Sequence, residues 1–307
     1  MILEPKNAPT KRSQMNVGDD LNFYIFPQLI GNILNDNERD IFLGIGTLLT
    51  KNRFKRLENA DSITIFGSGA WDSDIPNLTK NCNIIGVRGY RTAAKLGLPM
   101  TTAIGDAAYL LPSVDYPKRN CQGKIGFIPH QSSERYIDWQ KLCDDTGLEF
   151  ITPKQPVEDF LLNIQECKLV ITEAMHGAII ADALRIPWVP VKFAPDFCEE
   201  KWFDFAEYMG LNIEFKELTF MRDKDIPIIK NIENLSRKIL ANIFNLSRKK
   251  KTAPTVFFKC SDKKKAILRS QLITCSCAQS FLSNDAIFQA TVHKQYTKII
   301  KFSSTGK

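Results

Sequence analysis

Histidine is scarce in this chain, three in 307 residues, and the eight cysteines include no C-x-x-C pair. The tightest spacing, Cys275-Ser276-Cys277, is too short for a zinc half-site, and no histidine or second cysteine pair completes one. No metal is expected. The glycine turns Gly44-Ile45-Gly46-Thr47 and Gly67-Ser68-Gly69 both stop short of G-x-G-x-x-G, so neither supports a dinucleotide site by itself. No apolar run approaches the roughly 18 residues that span a bilayer. The first residues lack the signal-peptide pattern, so a soluble or peripheral cytoplasmic protein with reduced thiols is expected. Internal repeats and low-complexity tracts are missing too, which excludes solenoids and fibres.

What is present is ordinary globular composition, 44% hydrophobic and 24% charged, at a length that suits about two domains. The formal net charge of +7 fits an anionic ligand, and equally nucleic acid or an anionic membrane. Much of the excess falls late, where Arg248-Lys249-Lys250-Lys251 and Lys263-Lys264-Lys265 bracket Val256-Phe257-Phe258. A solvated face explains such a run, and so does contact with anionic lipid or a lipid-linked substrate. No nucleic-acid motif or aromatic-basic platform accompanies it, so nucleic acid is not expected as a partner.

Residues 1–12 read as a loose arm. Beyond them, short apolar runs alternate with helical spacing. Runs at 40–44, 62–66 and 83–87 read as strands buried on both faces of a parallel sheet, with a helix at 91–96 after the third. A second series places strands at 124–128, 149–152, 168–172 and 188–191, with helices at 133–146 and 157–167 between them. Two such series predict an α/β fold of two Rossmann-like, doubly wound domains split near 117–122. The expected boundaries are 1–118, 119–250 and a basic C-terminal extension, 251–307, of unassigned structure. The segment 231–246 reads as an amphipathic helix with Ile232, Leu235, Ile239 and Ile243 on one side.

The stretch KLVITEAMHGAIIADALRIPWVPV, 168–191, is the most informative. A strand ends near Thr172 and a helix starts at His176-Gly177, its small residues Ala178, Ala181 and Ala183 allowing close packing on a sheet. This puts His176 at a strand's carboxyl end and a helix's N-terminus, where ligands bind and where free N–H groups favour an anion. Gly177 would let that ligand approach the backbone. Glu173 reads either as a group orienting the imidazole or binding acceptor hydroxyls, or as a capping carboxylate. His130, ending the first strand of the second series, is the second cleft histidine, whereas His293 reads as exposed. Arg88 and Arg91 follow a strand. Arg91 in a first helical turn opposes the helix dipole, which points to an anion held by its guanidinium, or to a surface salt bridge. Asn16, Gly18 and Asp19 read as a turn and N-cap or as a polar loop at the cleft. Gly67, Ser68 and Gly69 read as a tight turn or as backbone exposed to a ligand.

In this order, NVGDDLN (16–22), FLGIGTLL (42–49), IFGSGAW (65–71), GVRGYRTAAKLGLP (86–99), AIGDAAYLL (103–111), GFIPH (126–130) and VITEAMHGAIIADALRIPWVPV (170–191) resemble the polysaccharide pyruvyl transferase family, particularly its ketal-forming exopolysaccharide members. The resemblance implies a GT-B-like pair of domains facing across a cleft. It implies phosphoenolpyruvate as donor and a sugar, free or lipid-linked, as acceptor, with no cofactor. The family's histidine before glycine matches His176, and its arginine matches Arg88, with Arg91 nearby as a further donor contact. Asp106 and Glu173 fall in matching stretches as cleft residues. The chain departs from the family at Ala107, commonly proline, and at Ala174-Met175, where some members carry a basic residue. Arg91 and Lys192 are the candidates to replace that cation. His176 is expected as general acid or donor-positioning group, and His130 or Asp19 as acceptor of the hydroxyl proton. Two other readings use the same scaffold: a nucleotide-sugar glycosyltransferase, and a non-catalytic glycan- or phosphate-binding protein.

Overall fold

Two parallel sheets organise the chain. The computed structural model describes residues 1–4, 16–70, 74–223, 232, 235–236 and 260–305. The first sheet sets β1 (Ile2–Glu4), β2 (Asp40–Leu43), β3 (Ser62–Ser68) and β4 (Cys82–Val87) side by side in chain order. The second contains β5 (Lys124–Ile128), β6 (Glu149–Phe150), β7 (Cys167–Thr172), β8 (Trp188–Lys192) and β9 (Lys216–Glu217), ordered β6-β5-β7-β8-β9. Pairing is parallel throughout. The apolar runs predict this, because strands covered on both faces have no polar side to alternate with. In the second sheet the chain steps from β5 out to β6 and then back past β5 to β7. The order therefore reverses between β5 and β7, the place where open α/β sheets bind ligands at their carboxyl ends.

The helices are α1 (Val17–Ile30), α2 (Lys51–Arg56), α3 (Tyr90–Lys95), α4 (Trp139–Asp144), α5 (Val157–Gln165), α6 (Met175–Ala183), α7 (Glu199–Tyr208), α8 (Asp262–Ser276) and α9 (Asp285–Thr305). Helix α5 buries Val157, Phe160, Leu161 and Ile164, a single stripe at helical spacing. Helix α6 buries nearly every residue, because it lies between β7 and the 3₁₀ helix Ala107–Ser113 rather than on the surface. Its far end is tied down by the buried Asp182, which accepts from Tyr109 Oη at 2.9 Å, Trp188 Nε1 at 3.2 Å and Ser283 N at 2.8 Å.

One apolar cluster runs through both sheets, joining Phe42 and Phe66 of the first to Ile128, Val170 and Trp188 of the second through α1, α6 and α9. The stretch 114–123 between the sheets contains neither helix nor strand. Three parts of the chain have more structure than the sequence reading assigned them. Ile2–Glu4, read as loose arm, pairs with β2 as the edge strand β1. The polar segment at Asn16–Asp20 begins a 14-residue helix, and from 262 onward the chain forms α8 and α9. Helix α8 buries Leu268 and Leu272 against β5, β7 and β8. Helix α9 returns to the first sheet, where the Phe302 and Phe42 rings lie 6.1 Å apart. Of the expected helix over 231–246, Ile232, Leu235 and Ser236 are helical, with Ile232 and Leu235 exposed; its remainder, Arg248–Lys251 and Val256–Phe258 lie outside the described residues. Burial pushes the Cys143 and Cys167 thiols up to about 12 and Cys275 to about 11, which marks them as packing groups rather than nucleophiles.

Candidate active site

At the β5/β7 reversal a cavity of about 140 Å³ opens between the two sheets. An engineered apolar cavity of ~150 Å³ takes a benzene molecule, so this space suits a small metabolite. The first turns of α1 and α6 form two of its walls. In α6 the N–H groups of Met175, His176 and Gly177 precede the first back-bond, from Ala178 N to the Ala174 carbonyl. In α1, by contrast, Asp19 N and Asp20 N already donate to the Asn16 carbonyl, each at 2.9 Å. Helix α1 is set in place by Asn22, wholly buried, whose amide donates to the Ile45 carbonyl at 2.9 Å and accepts from Ile45 N at 2.8 Å. Val17 N donates to the Pro153 carbonyl at 3.0 Å, which fixes the helix start to the loop after β6. Helix α6 begins from a tight turn in which Ala174 N donates to Thr172 Oγ1 at 3.0 Å.

His176 sits in that first turn of α6 with 18% of its side chain exposed. Its Nε2 faces Asp106 Oδ2 at 3.8 Å, and neither atom has a hydrogen-bond partner. That separation is long for a hydrogen bond but short for charge attraction. Burial alone would raise the Asp106 carboxyl, yet His176, Arg88 and the Ala108 N–H outweigh it and hold it below the ordinary value. Asp106 is therefore ionised at neutral pH behind the imidazole. On the other side, a Cβ on Gly18 would collide with the ring at Nδ1, so only glycine lets α1 close over His176. The absent side chain of Gly177 points at Thr172 and Ile128, not at the cavity; its glycine serves the packing of α6 on β5 and β7.

His130 forms another wall, with Glu173 buried behind it. Burial first, then the Lys201 charge, pushes His130 down to about 4, so it is neutral at pH 7. Its Nδ1 lies 2.7 Å from Ser132 Oγ. Glu173 is buried and accepts from His130 N and Ala194 N, each at 2.9 Å. Its carboxylate braces the ends of β5 and β8, the capping reading rather than the hydroxyl-binding one. Asn16, Gly18 and Asp19 line the cavity with Gly46 and Thr47.

Other expected residues do not reach it. Arg88 is fully buried, donating to Asp204 Oδ2 at 2.9 Å and to Thr47 Oγ1 at 3.1 Å, so it meets the cavity wall only through Thr47; its Nη2 is unpartnered beneath Gly69. Arg91 pairs with Glu200 at 2.6 Å and with Glu207, the surface salt-bridge reading. Lys192 likewise pairs with Glu199 at 2.6 Å and Glu217 at 3.2 Å. Gly67 adopts φ +73° against Ala107, and Ser68 Oγ donates to the Leu43 carbonyl at 2.9 Å, both in a tight turn away from the cavity.

Two contributors were missed in the sequence. Lys201, in the first turn of α7, lines the cavity. Gln295 of α9, fully buried, donates to the carbonyls of Ile104 at 2.9 Å and Asp106 at 3.0 Å, so the last helix holds the loop behind His176. An unbroken polar position on the buried stripe of α9 (Phe288, Thr291, Gln295, Ile299, Phe302) is the signal that was there to read.

A family model described as polysaccharide pyruvyl transferase matches residues 75–192, which include Arg88, Asp106, His130 and His176. The succinoglycan biosynthesis protein ExoV of Rhizobium meliloti (strain 1021) is 33% identical over 201 residues, 64% of this chain. The match spans 62% of that protein's length. No solved structure matches. Both comparisons agree with the resemblance read from the sequence motifs: over the matched segments the chain is similar to the polysaccharide pyruvyl transferases.

Proposed function

We propose, with that similarity as premise, that the chain transfers an enolpyruvyl unit from phosphoenolpyruvate to two hydroxyls of a sugar in a growing exopolysaccharide, closing a pyruvate ketal. The observation that carries the reading is His176, placed at the sheet's reversal in a small cavity and backed by an ionised carboxylate. The kinship with a protein of succinoglycan biosynthesis supports the class of acceptor.

In this mechanism a proton goes to the methylene carbon of the donor, and the positive centre left at C2 is attacked by the first sugar hydroxyl, which loses its proton. The C2–O bond to phosphate then breaks with its electron pair on oxygen. The second hydroxyl adds to C2 and gives up its proton, which leaves with the phosphate. His176 is the group suited to deliver the first proton, because its ring lines the cavity and Asp106 balances its positive form. First-turn N–H groups of α6 would face the donor's anionic end. His130, held neutral at about 4, is a weak base, and Asp19, a carboxylate that lines the cavity, is the other candidate to take a hydroxyl proton. The two sheets would act as the facing halves of a GT-B-like pair. Among the described residues no helix is long and apolar enough to cross a membrane, so a lipid-linked acceptor would be met peripherally.

The test is a transfer assay with phosphoenolpyruvate and a non-pyruvylated exopolysaccharide fragment. Phosphate release matched by a new ketal methyl resonance is expected. Transfer of a sugar from a nucleotide sugar to the same fragment, with no ketal, would overturn the reading.

A further inference from the structure

Anionic ligands need a cation, and the positive side chains expected from the sequence to supply one are already engaged. Arg91, Lys192 and Arg88 are each held by carboxylates of the protein. Lys201 is different. It lines the cavity from the first turn of α7, half-buried, and among the described residues no hydrogen bond or ion pair holds its ammonium. The acidic groups within its reach are otherwise occupied or exposed: Glu173 accepts backbone N–H groups with both oxygens, and Asp196 faces solvent. A half-buried ammonium without a counter-charge is unfavourable, and an arriving anion removes that cost. Burial accordingly lowers the Lys201 pKa, with Arg88 adding to the fall and Cys198, Glu173 and Asp196 opposing it.

The placement of Lys201 is also enforced. Asp204, three residues further along α7, accepts from Arg88 Nε at 2.9 Å, from Thr92 N at 2.9 Å and from Thr92 Oγ1 at 2.6 Å. Residues three apart share one face of a helix. The buried Arg88–Asp204–Thr92 network therefore anchors the face of α7 that turns Lys201 towards the cavity.

We propose that Lys201 is the phosphate-binding cation of this cavity, pairing with the ligand's phosphoryl group against the first-turn N–H groups of Met175, His176 and Gly177. The inference deepens the proposed function and takes from it that the cavity holds the donor. Arg88 then acts through α7 as a positioning residue.

Isothermal titration of the full chain with phosphoenolpyruvate and with inorganic phosphate tests this on wild type, Lys201→Met and Lys201→Arg. Lys201→Met should bind both at least about tenfold more weakly, the loss of one charge-assisted hydrogen bond, while Lys201→Arg stays within about threefold. Equal binding by Lys201→Met would overturn the inference and leave pyruvyl transfer standing. Phosphate binding that depends on Lys201 without any binding of phosphoenolpyruvate would do the reverse. A wild type that binds neither ligand also overturns it. A measurement free of variants accompanies these: phosphate should protect wild-type Lys201 from reductive methylation read by mass spectrometry, and undiminished labelling contradicts the assignment.

Discussion

His176 and His130 line the same cavity in opposite surroundings. His176 has an ionised carboxylate facing one ring nitrogen and a glycine pressed against the other. His130 has no carboxylate on its ring, a lysine charge nearby, and is held at about 4. Both follow strands at the sheet's reversal, so position alone gives them equal claims. The neighbours divide the work: one wall can carry a proton in the reaction, and the other is a fixed neutral surface braced by Glu173.

The sharpest way to break this division is to remove each ring. His176→Ala should lower transfer by about 10²- to 10⁴-fold, the usual worth of a positioned general acid, while His130→Gln should cost less than about tenfold. Steady-state rates of ketal formation read both, and a reversed order would assign the proton to the other wall. Asp106→Asn keeps an acceptor for Ala108 N but deletes the charge behind His176. A fall of about ten- to a hundredfold in turnover is expected, at an unchanged melting temperature within a few degrees. Gln295→Leu strips donors from two buried carbonyls, which costs about 1–3 kcal/mol of stability in urea titrations, with a smaller loss of turnover than Asp106→Asn.

The remaining effect concerns His130 and pH. Its folded value near 4 lies below the ordinary 6.5, so between those values the unfolded chain takes up a proton that the folded chain refuses. Stability then falls as pH is lowered from 6.5 towards 4, by about 1.4 kcal/mol per pH unit from this group. Urea titrations at pH 7, 6 and 5 should show that acid loss in wild type and a flatter profile in His130→Gln.

What the sequence made legible followed from local pattern. Continuous apolar runs marked β2, β3, β4, β5, β7 and β8, and small residues after a strand marked α6 and placed His176 at its start. Helix α1 escaped because Gly18 and Pro27 punctuate it, although Val17, Leu21 and Ile25 form a buried stripe at four-residue spacing. Arg91 shows the other failure. Its place in a first helical turn pointed correctly to an anion, but the anions are Glu200 and Glu207, more than a hundred residues away in the chain. Asp106 behind His176, Asp204 behind Lys201 and Gln295 behind Asp106 are likewise long-range pairings, which no local period encodes. The basic run at Lys263–Lys265 reads partly as structure too, since Lys265 pairs with Asp223.

The measurement closest to the central claim is a thermal-shift comparison of phosphoenolpyruvate with a panel of nucleotide sugars, on wild type and His176→Ala. At about 100 times its Kd a ligand adds roughly 2.7 kcal/mol, enough for a visible shift. The account predicts that phosphoenolpyruvate raises the wild-type melting temperature, that nucleotide sugars do not, and that the shift shrinks in His176→Ala. Stabilisation by a nucleotide sugar alone would contradict it and give the same cavity a different donor.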